Sequence, residues 1–197
     1  ALDQALRNFI NDEHIGQARE NRLLFYFAGH GATLKRDGQG DMGYLVAAAA
    51  PLIRDDRAGF LRNALDMETI AGYAKNLAAK HALFIFDSCF AGSIFDMTRG
   101  VPEEITYKAA QPVRQFITSD SKDQTVPAVS IFRPLLVDAL RGSGDYDQDG
   151  YITGSELGYV LDKRVVKSSR GQYTPQYGKL NDVNFDEGDF VFQLPQQ

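Results

Sequence analysis

Two short apolar runs stand out along a chain of otherwise mixed character. Leu23-Leu24-Phe25-Tyr26-Phe27 is closed by Gly29-His30-Gly31, and Ala82-Leu83-Phe84-Ile85-Phe86 is closed by Asp87-Ser88-Cys89. Each run is too short for a helix and is bounded by turn residues, which predicts strands buried on both faces. Arg114 to Thr118 predicts a third strand, and Gly43 to Val46 a short one. Helical spacing falls between them. Residues 3–12 set Leu6, Phe9 and Ile10 on one face; residues 66–79 open on Asp66 as N-cap and align Tyr73, Ala74 and Leu77. Ile131 to Leu140 predicts a helix stopped by Gly142 and Gly144, and Ser155 to Lys167 another. Thr33 to Gly43, rich in glycine and charge, reads as a surface loop, and residues 96–112 as a turn-rich linker.

Buried strands alternating with amphipathic helices predict an α/β fold, a three-layer αβα sandwich with a mostly parallel sheet. In such sheets reactive groups collect beyond the carboxyl ends of the strands. His30 and Cys89 both follow the end of a buried run, so neighbouring strands would bring them together across 59 positions of sequence. The chain's 197 residues suit a single domain, 1–197. A net charge of −5 argues against nucleic acid as a partner. No apolar run reaches the roughly 18 residues of a membrane span, and no signal peptide opens the chain, so no membrane association is expected. One cysteine allows no internal disulfide, which favours a reducing, cytoplasmic setting.

A lone cysteine is usually an inert buried residue, and a histidine between glycines is often only a turn residue. Matched placement after two buried strands changes that balance. A thiol becomes a nucleophile when a nearby base favours its thiolate, and His30 is placed to do this and then return the proton to a leaving amine. The N–H groups of Gly31 and Cys89 are the candidate oxyanion donors. This chemistry needs no cofactor.

A second motif lies further on. Asp145, Asp147 and Asp149 fall at positions 1, 3 and 5 of an EF-hand loop, with Gly150 at 6, the Tyr151 carbonyl at 7 and Glu156 at 12. The spacing turns three carboxylates inward and lets Glu156 chelate with both oxygens, so calcium is the ion the loop would take. With no second loop in sight, modest affinity is expected.

Phe25-Tyr26-Phe27-Ala28-Gly29-His30-Gly31 and Phe86-Asp87-Ser88-Cys89-Phe90-Ala91-Gly92 resemble the histidine and cysteine motifs of caspases and metacaspases. Their interval is similar to the caspase spacing of roughly 50 residues. Thr118-Ser119 with Asp123-Gln124-Thr125 is similar to the segment that opens the small subunit of that family. Asp138 to Gly142, Gln172 to Pro175 and Gly188-Asp189-Phe190 are similar to segments of bacterial caspase-like domains. The resemblance implies a cysteine endopeptidase acting on protein or peptide substrates, divided into a large-subunit-like part (1–95), the linker (96–112) and a small-subunit-like part (113–197). It further implies that Asp87, two residues before Cys89, lines the pocket for the residue preceding the scissile bond. That makes the preferred residue arginine or lysine, whereas true caspases cut after aspartate. Asp120 would add a second carboxylate, while Ala128 replaces a further acidic residue of metacaspases. Arg99 and Lys108 offer sites for self-cleavage. The family's usual N-terminal strands have no room ahead of Arg22, so an upstream fragment or a second chain is expected to complete the sheet. The alternative reading is a caspase-homology module with a regulatory or scaffolding role and little turnover.

Overall fold

The computed structural model describes residues 2–36, 40–88, 105–120 and 130–195. In chain order these form α1 (Leu2–Asn11), β1 (Arg22–Ala28), β2 (Gly31–Arg36), β3 (Gly40–Val46), α2 (Arg57–Asn63), β4 (Ala64–Asp66), α3 (Met67–Asn76) and β5 (His81–Asp87). There follow α4 (Ile105–Ala110), β6 (Val113–Thr118), α5 (Phe132–Asp138), a π-helical turn over Ala139–Ser143, β7 (Tyr151–Thr153), α6 (Gly154–Ser168), β8 (Gln176–Lys179) and β9 (Val191–Gln193). The main sheet has the order β1-β5-β6-β8, with the first three strands parallel and β8 antiparallel.

Strand β5 is buried along its whole length because both faces of the sheet are covered there. Phe84, Phe86 and Phe116 pack on one face with Leu6 and Ile10 of α1 and Ile70 and Ala74 of α3. Leu83, Ile85 and Ile117 pack on the other with Leu136 of α5 and Leu157 and Leu161 of α6. Helices on both sides of a mostly parallel sheet make the expected sandwich. Phe84 and Phe116 stack at 5.0 Å in the middle of the first layer; truncating either to alanine would cost about 3–5 kcal/mol.

Several local expectations need correction. Strand β1 is not buried on both faces. Leu23 is buried, but Leu24 and Tyr26 are 43% and 39% exposed, because β1 ends the sheet among the described residues and no helix covers that face of it. The segment Thr33 to Gly43 is not a plain loop: β2 and β3 form an antiparallel pair, with Leu34 opposite Met42 and Gly31 opposite Leu45. Its strands were hidden because cross-strand pairing, with Met42 and Leu45 anchored in the core, holds β2 in place without an apolar run of its own. Asp66 does cap α3, accepting the Thr69 N–H at 2.7 Å, but the helix ends at Asn76 rather than residue 79. There Arg114 reaches across and donates to the carbonyls of Ala74 and Leu77 at 2.6 Å each. The short elements α2 and β4 had no clear sequence signal. A helix, α4, stands in the latter part of the segment read as turn-rich. The helix expected to Leu140 loosens after Asp138, since Gly142 takes φ +125°.

Candidate active site

The register of the parallel strands sets the site. Ala28 of β1 lies level with Asp87 of β5, and Phe86 with Thr118 of β6. The chain therefore leaves β1, β5 and β6 at one end of the sheet, towards His30, Ser88 and Asp120 respectively. Gly29 N–H donates to the Asp87 carbonyl at 3.3 Å and ties the first two strand ends together. His30 is exposed, and its carbonyl accepts the Val46 N–H at 2.9 Å. That bond makes Gly31–Leu45 a non-hydrogen-bonded pair, so the Gly31 N–H points away from β3. Ser88 is fully buried, and its carbonyl accepts the Ser119 hydroxyl at 3.3 Å. Cys89 lies outside the described residues, as do Arg99 and Asp123-Gln124-Thr125.

Asp87 is only 6% exposed. Its Oδ2 accepts the Tyr26 hydroxyl at 3.1 Å and the Ser130 hydroxyl at 2.6 Å. Ser130 Oγ accepts in turn the Arg133 N–H at 3.0 Å, capping the start of α5. No cation lies within ion-pair distance of Asp87 among the described residues. The Tyr26 phenol is pushed up to about 12, first by burial and then by the charge and hydrogen bond of Asp87, with Arg133 opposing. Asp120, 2% exposed, accepts the Thr174 N–H at 3.2 Å, so it braces the stretch leading to β8.

A family model described as the caspase domain matches residues 1–177. The chain belongs to the caspase-domain family. That family comprises cysteine-type peptidases, whose substrates are proteins. Among curated proteins no match was found. No helix among the described residues of this caspase domain is long and apolar enough to cross a membrane.

The loop of the caspase domain between the π-helical turn and α6 folds around its own aspartates. Asp145 accepts the N–H groups of Asp149 and Gly150 at 3.1 and 3.0 Å, and Asp149 accepts that of Tyr151 at 2.9 Å. Gly150 takes φ +89°, a conformation that glycine adopts without strain. One carboxylate oxygen from each of Asp145, Asp147 and Asp149 comes within 4.8 Å of the others. Burial, reinforced by these neighbours, raises the Asp149 carboxyl above the usual range. Glu156 is 5% exposed and outside this group. It closes a capping box on α6, accepting the Thr153 N–H at 2.8 Å, while its other oxygen accepts the Tyr146 N–H at 3.2 Å. Strand β7 pairs antiparallel with β9, placing Ile152 opposite Phe192.

Sequence reasoning missed a buried polar cluster beside this loop. Asp189, with no exposure, accepts from the Gln115 side chain at 2.6 Å and from the Ser155 hydroxyl, and lies 3.9 Å from Lys108 Nζ. It ties α4, β6 and the first turn of α6 to the segment entering β9. The only sequence signal was the family-like Gly188-Asp189-Phe190. Lys108, 3% exposed, is thereby withdrawn from any protease, which argues against cleavage after it in the folded chain.

Proposed function

We propose that the protein is a cysteine endopeptidase that cuts after arginine or lysine. Cys89 is the nucleophile, His30 the acid–base partner and Asp87 the residue that reads the substrate cation. The observation that carries this reading is the level, parallel pairing of β1 with β5, which ends the histidine strand beside the strand leading into Cys89. In the reaction His30 takes the Cys89 proton, and the thiolate sulfur bonds to the scissile carbonyl carbon. The N–H groups of Gly31 and Cys89 receive the resulting oxyanion. Collapse breaks the C–N bond as His30 protonates the leaving amine; water then releases the acyl group from sulfur. Asp87, little exposed and without a counter-ion among the described residues, supports selection of a basic residue, since such a carboxylate gains most from a guanidinium or ammonium partner. Asp120 borders the same end of the sheet as a second acidic wall.

Fluorogenic peptides ending in Arg, Lys or Asp test the reading. Cleavage after Arg and Lys is expected, falling by about 10³-fold or more in Cys89→Ala and His30→Ala. Absence of cleavage, together with no labelling of Cys89 by a peptidyl chloromethyl ketone, would refute it. Cleavage after Asp alone would remove the role given to Asp87.

The loop from Asp145 to Glu156 is the calcium-responsive part of this proposal. Three clustered aspartates and the Tyr151 carbonyl fit a hard cation, and Glu156 joins them only by giving up its hydrogen bonds to the loop backbone. Bound calcium would supply charge neutralisation and rigidity there, leaving the acyl transfer to Cys89 and His30. Terbium luminescence sensitised by Tyr151 is the direct check. Emission is expected in the wild type, displaced by calcium and lost in Asp145→Ala/Glu156→Ala; unchanged emission in that variant places the ion elsewhere. A further strand, from an upstream segment or a second chain, pairs with the edge of β1 that stands open among the described residues.

A further inference from the structure

Asp87 is held in an unsymmetrical way. Two neutral hydroxyls, Tyr26 from β1 and Ser130 from the entry to α5, converge on Oδ2. Oδ1 accepts no hydrogen bond and joins no ion pair among the described residues. A carboxylate oxygen has two lone-pair directions, so Oδ2 is filled and Oδ1 has both to offer. Arg133, whose backbone N–H is bound by Ser130, is exposed and forms no ion pair with Asp87 among the described residues. A carboxylate this little exposed, balanced only by hydroxyls, gains from a cation arriving at the other oxygen. The Tyr26 ring, 39% exposed beside it, offers an aromatic face for that cation.

We infer that Tyr26 and Ser130 are positioning residues of a cation pocket, fixing Oδ2 of Asp87 so that Oδ1 alone meets the substrate's basic side chain. This rests on the basic-residue reading of Asp87 and adds a consequence to it. With Oδ2 filled, the two-point fork between guanidinium and carboxylate cannot form. Arginine therefore loses its geometric advantage over lysine, and charge rather than fork geometry sets the preference. Preference for Arg over Lys falls within about 10-fold, while Arg over its neutral isostere citrulline exceeds about 100-fold.

The test compares kcat/KM for peptides ending in Arg, Lys and citrulline, a ratio that cancels any loss of folded enzyme. Binding of N-acetylarginine amide and N-acetylcitrulline amide, followed by NMR, supplies a readout without turnover. Ser130→Ala and Tyr26→Phe are expected to cut the Arg/citrulline ratio about 10-fold each, with Ser130→Thr restoring it. Asp87→Asn should abolish the preference. Collapse in Asp87→Asn with no change in Ser130→Ala and Tyr26→Phe overturns the inference and leaves the basic-residue reading standing. A wild-type Arg/Lys ratio well above 100 overturns the single-oxygen geometry. No cleavage, but arginine-selective binding weakened in both variants, supports the pocket while refuting the peptidase. Absence of both cleavage and selective binding refutes both.

Discussion

His81 opens β5 with its ring only 2% exposed and Nε2 bound to the Gln111 carbonyl at 2.9 Å. Because that partner is an acceptor, Nε2 donates, a bond that favours the charged ring but is outweighed by burial. Burial, the largest cause, pulls its pKa from 6.5 down to about 4. The unfolded chain therefore takes up a proton that the folded one refuses. The stabilisation is full above pH 6.5 and is lost as pH falls towards 4, up to about 3 kcal/mol in all. His81→Gln keeps a donor without titrating, and urea unfolding across this window should show a flatter pH dependence. Asp189 gives a second residue-scale expectation. Asp189→Ala takes the carboxylate away from the buried Lys108 ammonium and the Gln115 amide and should cost about 3–5 kcal/mol, whereas Lys108→Met leaves a hydrogen-bonded carboxylate and should cost less. Chemical denaturation ranks the two; equal losses would show that the pair is not coupled.

Between elements, α6 lies against β8 without room to spare. A Cβ on Gly158 would stand 2.3 Å from Cγ of Tyr177, so Gly158→Ala must push helix and strand apart. Overpacking costs about 1–3 kcal/mol, which outweighs the roughly 1 kcal/mol that alanine gains in a helix. A Tm several degrees lower is expected by calorimetry. Arg114 shows the same economy of contact. Its guanidinium, 1% exposed and 4.3 Å above the Phe185 ring, satisfies carbonyls at the end of α3, and burial lowers its pKa to about 10. The sequence placed it only at the start of a strand, because its partners lie 34 to 40 positions away.

At the scale of the molecule, β1 leaves one backbone edge open among the described residues. Since Gly29 N–H points to β5, the parallel ladder turns the N–H groups of Leu24, Tyr26 and Ala28 the other way. Hydrogen exchange should therefore be faster at these three amides than at Leu23, Phe25 and Phe27. Protection of all six in a longer or mixed preparation would identify a strand added at that edge, and equal protection in this chain alone would show the edge already covered.

The apolar runs by themselves determined the strands that flank the site, because a short unbroken apolar run ended by turn residues has few other stable outcomes in water. They also determined that His30 follows one strand and Cys89 another, and the aspartate spacing of the loop was readable at the same level. Tertiary structure decided what surrounds these residues. Only the register of β1 against β5 brings Tyr26 to Asp87, 61 positions away, and only the entry to α5 delivers Ser130 to the same oxygen. It also made Lys108 a buried partner of Asp189 and Glu156 the cap of α6. Periodicity records which face a residue presents. Hydrogen bonds between distant side chains leave no periodic trace, so the electrostatics of this site could be read only once the chain was folded.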